Sequence, residues 1–542
     1  MDSASDAFHA LVEEFYGVWF RFHPDALLSA ALPGYGGSMP ALDDSQMGAL
    51  GSWLESTVVG LEEIDFDALD PAEQIDMELL FGACRDEYQA ILAHDWRHRD
   101  PLAFMPLRTI YQLALAIGNS GPAALEACLQ GVPEILQQAR EHLTGYPELI
   151  PRIWVDAALQ QGAAGVRFLR QLSDRGGVGS GLQAVSDQAS QAIAAYLEFL
   201  AREVASAAEG RCACGGQRFR EQLRLRHHLP DRPDDYLDFA RESYQKSRAE
   251  LGMLSLEQTG SADPRGWMEK LNRKNPVPAE QRVQYVRRRS TEIYRMLAAS
   301  GQFTLPQSAG LELQSMPDAY PLQAPVYRPP APGVAGPSAL LCLPGMPAAM
   351  PADTGERLTA WCIRNAWPGR HLQAAAAAGS PLAGTLVRRV NLSAAHQAGW
   401  SLYAEQLTQE LGFFPTPEQA LQGQLERLRR SLMAVLDIEF HVHGMAASGA
   451  LLQLRSLPGH SAEQAAHDLL SLTRRPTQHL AAVVEWKILD ALRRWHARSG
   501  GIDMAAFHTR LLAQGGIATP PVIARFFGRQ AWAWVEAQVY SQ

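Results

Sequence analysis

Two short runs hold the side chains best suited to chemistry. In Arg364-Asn365-Ala366-Trp367-Pro368-Gly369-Arg370-His371-Leu372-Gln373, two arginines, an amide and an imidazole stand close together. In Ala398-Gly399-Trp400-Ser401-Leu402-Tyr403-Ala404-Glu405, a phenol and a carboxylate follow an indole. A third group, Asp437 and His441, is spaced four apart, so a helix turns both to one side. Imidazole and carboxylate pairs suffice for proton transfer where they converge. That makes His371, Tyr403, Glu405, Asp437 and His441 candidates for metal-free acid-base catalysis, against the plainer reading that Asp437 only orients His441 in a core. A guanidinium stays protonated and offers carboxylate or phosphate a planar fork of donors. Arg364, Asn365, Arg370 and Trp400 are therefore the candidates for holding an anionic or peptide ligand. The competing expectation, favoured by the rarity of unpaired buried charge, is that each arginine meets a protein carboxylate such as Glu405 or Asp437.

Other clusters carry less. His441-Val442-His443 on a helix sends its two rings in different directions, and His396 turns away from position 398, so neither makes a good chelate. Cys212-Ala213-Cys214 supplies two thiols where a closed zinc site needs four ligands, and reads as a turn with incidental thiols. His227-His228, Arg287-Arg288-Arg289 and Arg429-Arg430 read as solvated faces. There is no phosphate-cradling loop, dinucleotide fingerprint or nucleophile elbow.

The elements that must position these residues are helices. Phe8, Leu11, Val12, Phe15, Tyr16, Trp19 and Phe20 recur mostly three and four apart and draw one apolar stripe down a helix ending at Pro24. The same period marks 74–94, 182–208, 234–254 and 281–300, and later 382–411, 419–441, 462–473, 478–499, 504–512 and 520–542. Between Pro317 and Pro351 ten prolines exclude helix, and the short apolar runs 324–327 and 339–342 predict two strands of a small edge sheet, with an ordered Pro-rich loop as the alternative. The chain thus divides into an N-terminal helical region (1–300), a Pro-rich segment with short strands (301–352) and a C-terminal helical region carrying the motifs (353–542). Pro368-Gly369 is expected to bend or interrupt its helix; without strong distortion, Arg364 and His371, seven apart, would share a face.

The two runs resemble the paired motifs of the bacterial "domain of unknown function 885" family, whose intact members read His-Glu-x-x-Pro-Gly-His-His-Leu-Gln and then Glu-Gly-Trp-Ala-Leu-Tyr-Ala-Glu. Asp437-Ile438-Glu439-Phe440-His441 resembles the family's Asp-x-Gly-x-His helix. Phe507-His508, with Leu511, Leu512 and Gly515, resembles its C-terminal segment. The resemblance spans nearly the whole chain and implies a mainly α, zincin-like helical bundle related to metallopeptidases, with its small edge sheet near residues 320–345. It also implies a metal site, which needs imidazoles, a carboxylate and a basic Glu around an open position. Here Arg364 stands for the first His, Asn365 for the Glu base, Arg370 for the next His and Ala398 for the Glu of the second motif. His371 alone is kept, so no metal and no other cofactor is expected, and zinc hydrolysis is the least favoured of three readings. The first is a metallopeptidase-like protein that binds a peptide or small anionic ligand in the former cleft. The second is repurposed acid-base chemistry in the same cavity, of the kind used in specialised metabolism.

A net charge of -10, from 48 basic and 58 acidic residues, argues against nucleic acid as a partner. No apolar run is long enough to span a bilayer, and the acidic start MDSASDAF lacks the features of a secretory signal. Six cysteines are too sparse for a disulfide framework, and a cytoplasmic location away from membranes is expected.

Overall fold

The helical period carries over into a mainly α structure. The computed structural model describes residues 3–40, 42–120, 122–173, 180–274, 276–306, 310–316, 326–330, 339–344, 353–501 and 503–540. Phe8, Val12, Phe15 and Tyr16 form the buried side of helix Ala4–Phe22, which Ser3 and Asp6 open with a capping box. Helices Pro71–Leu92, Pro233–Thr259, Arg282–Ser300, Pro417–His441, Ala462–Arg474, Gln478–Arg498 and Met504–Leu512 lie where the apolar period places them.

Three expected helices are broken, each for a local reason. The stretch 382–411 divides because Ser393 accepts the His396 N–H and caps a new helix, Ala394–Glu410. The closing stretch yields the short helix Thr519–Val522 and a π turn, then ends at Gly528, whose φ of 96° a helix cannot hold, before Arg529–Tyr540 begins. Ser180–Phe199 runs into a π turn over Leu200–Val204.

The strands are short. Leu311–Ser315, Val326–Arg328 and Ala339–Leu343 form one sheet with Ala339–Leu343 in the middle, and all five residues of that middle strand are buried. An apolar run without alternation suits a central strand covered on both faces. Strand Leu311–Ser315 was not foreseen, and residues 324 and 325 of the expected strand 324–327 lie outside the described residues.

Two compact units divide the chain. The first comprises Met1–Asp70, Leu80–Cys212 and Ser315–Arg328, and in it helix Ser180–Phe199 packs against Ala123–Thr144 and Arg152–Ser173. The second comprises Pro71–Leu79, Ala213–Gln314 and Pro329–Gln542 and holds every candidate site residue. There, Pro417–His441 packs along Pro233–Thr259, and Ala394–Glu410 packs along Gln478–Arg498. Gly399 sets that second approach: a β-carbon on it would stand 2.6 Å from Glu485 Cβ and 2.9 Å from Ala482 O. Neither obstacle is the end of a flexible side chain, so Gly399→Ala should force the helices apart and destabilise the fold by about 1–3 kcal/mol. Denaturant unfolding monitored by circular dichroism measures the loss.

Candidate functional site: a broken helix and its ion network

The first motif begins on helix Gly355–Asn365 and resumes on helix Arg370–Ala378. Pro368 has no N–H and restricts the residue before it, and the chain between the two helices is bent, with Ala366 at φ -102°, ψ -104° and Gly369 at φ -73°, ψ -134°. A β-carbon at 369 would lie 2.1 Å from Arg364 O, so only glycine fits. The interruption puts Arg364 and His371 on separate helices, which removes the shared face expected from their spacing.

Breaking a helix in the interior exposes carbonyls that must find donors. The second motif supplies them. Trp400, fully buried, donates Nε1–H to Pro368 O at 3.0 Å and Gly369 O at 3.2 Å. Ser401 donates its hydroxyl to Arg364 O at 3.0 Å. Trp400 is thus spent on the backbone of the break. Asn365 bonds back to Trp361 O at 3.0 Å, a local helical contact.

Arg364 Nη1 donates to Glu405 Oε1 at 2.8 Å, with Glu405 fully buried and the arginine side chain 19% exposed. The protein carboxylate therefore meets this guanidinium, as the competing expectation held. Burial pushes the Glu405 carboxyl above its ordinary range, opposed by Arg364 and then Arg427. Burial also works against the Arg364 charge, and Glu405 and Glu426 more than restore it.

Helix Pro417–His441 extends this network. Arg429 bonds both oxygens of Asp468 at 2.8 Å and both of Glu426 at 3.1 Å, and Arg430 bonds Glu426 at 2.7 Å. Burial raises the Glu426 carboxyl, but Arg429, Arg430 and Arg364 hold it well below the carboxylate range. Arg429 and Arg430 are thus not a solvated face, because a half-buried acid on their own helix captures both. His227 departs from expectation in the same way: it is buried and within 2.9 Å of Thr477 Oγ1. Arg287 and Arg288 are exposed.

The acid-base candidates do not converge. Asp437 Oδ1 accepts the Thr477 N–H at 3.1 Å, and Oδ2 accepts those of His479 and Leu480 at 3.0 and 2.9 Å. It caps helix Gln478–Arg498 from a neighbouring helix, where a carboxylate complements the helix dipole. Burial pushes it up to about 7 against those three donors. His441 lies 3.8 Å from Asp437, beyond hydrogen-bond reach. Its Nε2 donates to Leu472 O at 3.0 Å and its Nδ1 accepts the Cys214 N–H at 3.2 Å, which fixes a neutral ring, lowered to about 4 by burial. Tyr403 donates to His508 Nε2 at 2.6 Å, and His508 Nδ1 donates to Gln302 O at 2.7 Å. His371 is fully buried edge-on to Trp367, and Arg370 is half-buried at the start of its helix.

Sequence reasoning missed Glu426, Arg427, Asp468 and Glu485. A usable signal was the run of charges within the apolar period of 419–441, since a helix buried on several sides must pair the charges it carries. Glu485 joins His396 and Thr519 in a second buried cluster: its Oε2 lies 3.2 Å from His396 Nδ1, and its Oε1 accepts the Thr519 N–H at 3.0 Å.

The zinc implied by the resemblance does not fit these residues. A protonated guanidinium bound to Glu405 stands at one ligand position, an amide bonded to its own helix stands for the base, and Ala398 has no donor atom. Among the described residues no group of three or more His, Cys, Asp or Glu side chains is arranged to hold a metal ion.

Fold and motif geometry define a mainly α protein organised around a proline-broken helix and its tryptophan-bearing partner. The chain belongs to the family "Bacterial protein of unknown function (DUF885)", whose model matches residues 28–524. Two solved structures are similar. One, from Shewanella oneidensis, is titled a "putative lipoprotein of unknown function"; it is 17% identical with a TM-score of 0.74, over 96% of this chain and 99% of that one. The other, a "putative lipoprotein" from Colwellia psychrerythraea, is 17% identical with a TM-score of 0.79, over the full length of both chains. At that identity they establish the fold alone. No curated protein matches the chain.

The Arg364–Glu405 pair yields a pH-dependent prediction. A glutamate whose folded pKa is raised favours the fold below its unfolded pKa and loses that contribution as pH rises through the folded value. Removing Arg364 raises the folded pKa further. Arg364→Met should therefore lose about 3–5 kcal/mol at pH 8 and clearly less at pH 5, where Glu405 can take a proton. Arg364→Met/Glu405→Gln should abolish the difference between the two pH values, as read from denaturant midpoints.

Proposed function

We propose that this chain is a metallopeptidase-like protein without a metal, which binds a peptide or small anionic ligand at the former metal locus rather than hydrolysing one. The observation that carries the reading is the Arg364–Glu405 pair, which sets a protein cation where the resemblance implies a zinc ligand. Binding at this locus is supported by three side chains that are nine-tenths or more buried, each with a polar atom lacking a hydrogen-bond partner: Glu405 Oε2, Gln424 Oε1 and Arg427 Nε. Such atoms are costly unless something meets them. The Glu405 carboxyl lies against Gly423, within 3.7 Å of where a β-carbon would stand, and positions 423, 424 and 427 occupy one arc of their helix. Together the three atoms offer one donor and two acceptors, enough to pair with both the N–H and the C=O of a peptide group. The acid-base alternative has less support, since Tyr403, Asp437 and His441 are held by separate partners.

Protein purified without chelators should hold far less than stoichiometric zinc by elemental analysis and show no zinc-dependent hydrolysis of a mixed peptide library. Short peptides should bind in calorimetry, and Gln424→Leu should weaken them by about tenfold, a loss of about 1.4 kcal/mol. One zinc per chain, or peptide affinity indifferent to Gln424→Leu, would overturn the proposal.

We also infer a cytoplasmic location, supported by six cysteines that are all free thiols. No described helix is long and apolar enough to cross a membrane. The two similar structures carry lipoprotein titles, so the test is cell fractionation with fatty-acid labelling. Recovery of unlabelled protein in the cytosolic fraction is expected, and a labelled, membrane-bound form refutes the inference.

A further inference from the structure

The second unit contains a cavity that shares no residue with the two motifs. It measures about 400 Å³, within the range of small-molecule sites. Its walls come from the end of helix Gln478–Arg498, the following glycine turn, helix Met504–Leu512 and the π turn at Ile523–Phe527.

Three aromatic rings line it: Trp495, Phe507 and Phe527. His496 stacks on Phe507 with centroids 4.9 Å apart and planes 28° from parallel. Arg510 lies over the Phe527 ring, 5.1 Å from its centre. Phe507 and Phe527 meet edge to face, with centroids 5.8 Å apart and planes 63° from parallel, so the rings make one aromatic wall against which an apolar ring can lie.

The charge in the cavity has one sign. Arg510 forms no ion pair among the described residues, and no acidic side chain lines the cavity. His496 Nε2 is buried without a hydrogen-bond partner. The last turn of helix Gln478–Arg498 disfavours an anion by its dipole, but that turn carries His496 and Arg498. Gly501 packs on the imidazole edge: a β-carbon there would fall 2.3 Å from His496 Nε2, so a side chain at 501 would displace the ring that stacks on Phe507.

We propose that this cavity is a binding site for an aromatic carboxylate, with its ring against the wall formed by Trp495, Phe507 and Phe527 and its carboxylate on Arg510. Arg510 selects charge by a planar, charge-assisted contact, and the aromatic wall selects an apolar ring.

Calorimetry of the full chain with 2-naphthoate, and with neutral 2-naphthamide as control, tests the assignment. One saturable site per chain is expected for the carboxylate, with the amide weaker by at least about tenfold. Arg510 is exposed, so Arg510→Gln should keep the wild-type melting temperature while losing about tenfold in naphthoate affinity and most of the preference over the amide. Gly501→Ala should also lose affinity by crowding the imidazole. Absence of saturable binding to wild-type protein near 1 mM, equal affinity for acid and amide, or naphthoate binding unchanged in Arg510→Gln each overturns the proposal.

Discussion

The second unit depends on how a deliberately broken helix recovers its hydrogen bonds. Pro368 interrupts the chain between two buried helices, and the exposed carbonyls of Arg364, Pro368 and Gly369 would each carry a desolvation cost if left alone. Trp400 and Ser401 meet all three from one face of helix Ala394–Glu410. That contact fixes the distance and rotation of the two motif helices, and Gly399, on the other side, lets helix Gln478–Arg498 close behind them. The role of the tryptophan motif is therefore independent of any metal. The frame stands while Arg364, Asn365, Arg370 and Ala398 occupy the positions at which the resemblance implies ligands and a base.

Electrostatics follow from that frame. Once Glu405 is carried into the interior beside the break, its charge needs a partner, and Arg364 lies on the facing helix to provide one. Glu426, Arg429, Arg430 and Asp468 extend the pairing across the adjoining helices. Beside this network three buried polar atoms, on Glu405, Gln424 and Arg427, are left without a hydrogen-bond partner. The aromatic cavity beside Arg510 is of another kind, with ring-lined walls and a guanidinium that forms no ion pair among the described residues.

Asp437 shows how a sequence pattern can point at the wrong partner. Its spacing from His441 suggests a pair, yet a carboxylate near a helix start gains more from three aligned N–H groups than from one ring 3.8 Å away. Helix N-termini are strong acceptor seekers, and nothing local to residues 437–441 reveals that the start of Gln478–Arg498 lies beside them. Arg429 and Arg430 mislead in the opposite sense: adjacent basic residues look solvated until Glu426, three and four positions earlier, is seen to be half-buried and paired with both.

By itself the sequence determined the helices, because apolar side chains at three- and four-residue spacing have only one way to bury together. It also determined the break at Pro368, because proline removes a donor wherever it stands, and it put arginine and alanine at positions where the resemblance implies ligands, side chains that bind no metal in any fold. Tertiary structure alone decided which charges meet. Arg364 and Glu405 are forty-one residues apart, Arg429 and Asp468 thirty-nine, and Asp437 and Leu480 forty-three. Pairings at that range depend on which helix faces come together, and a helical period specifies that a face is buried without specifying against what.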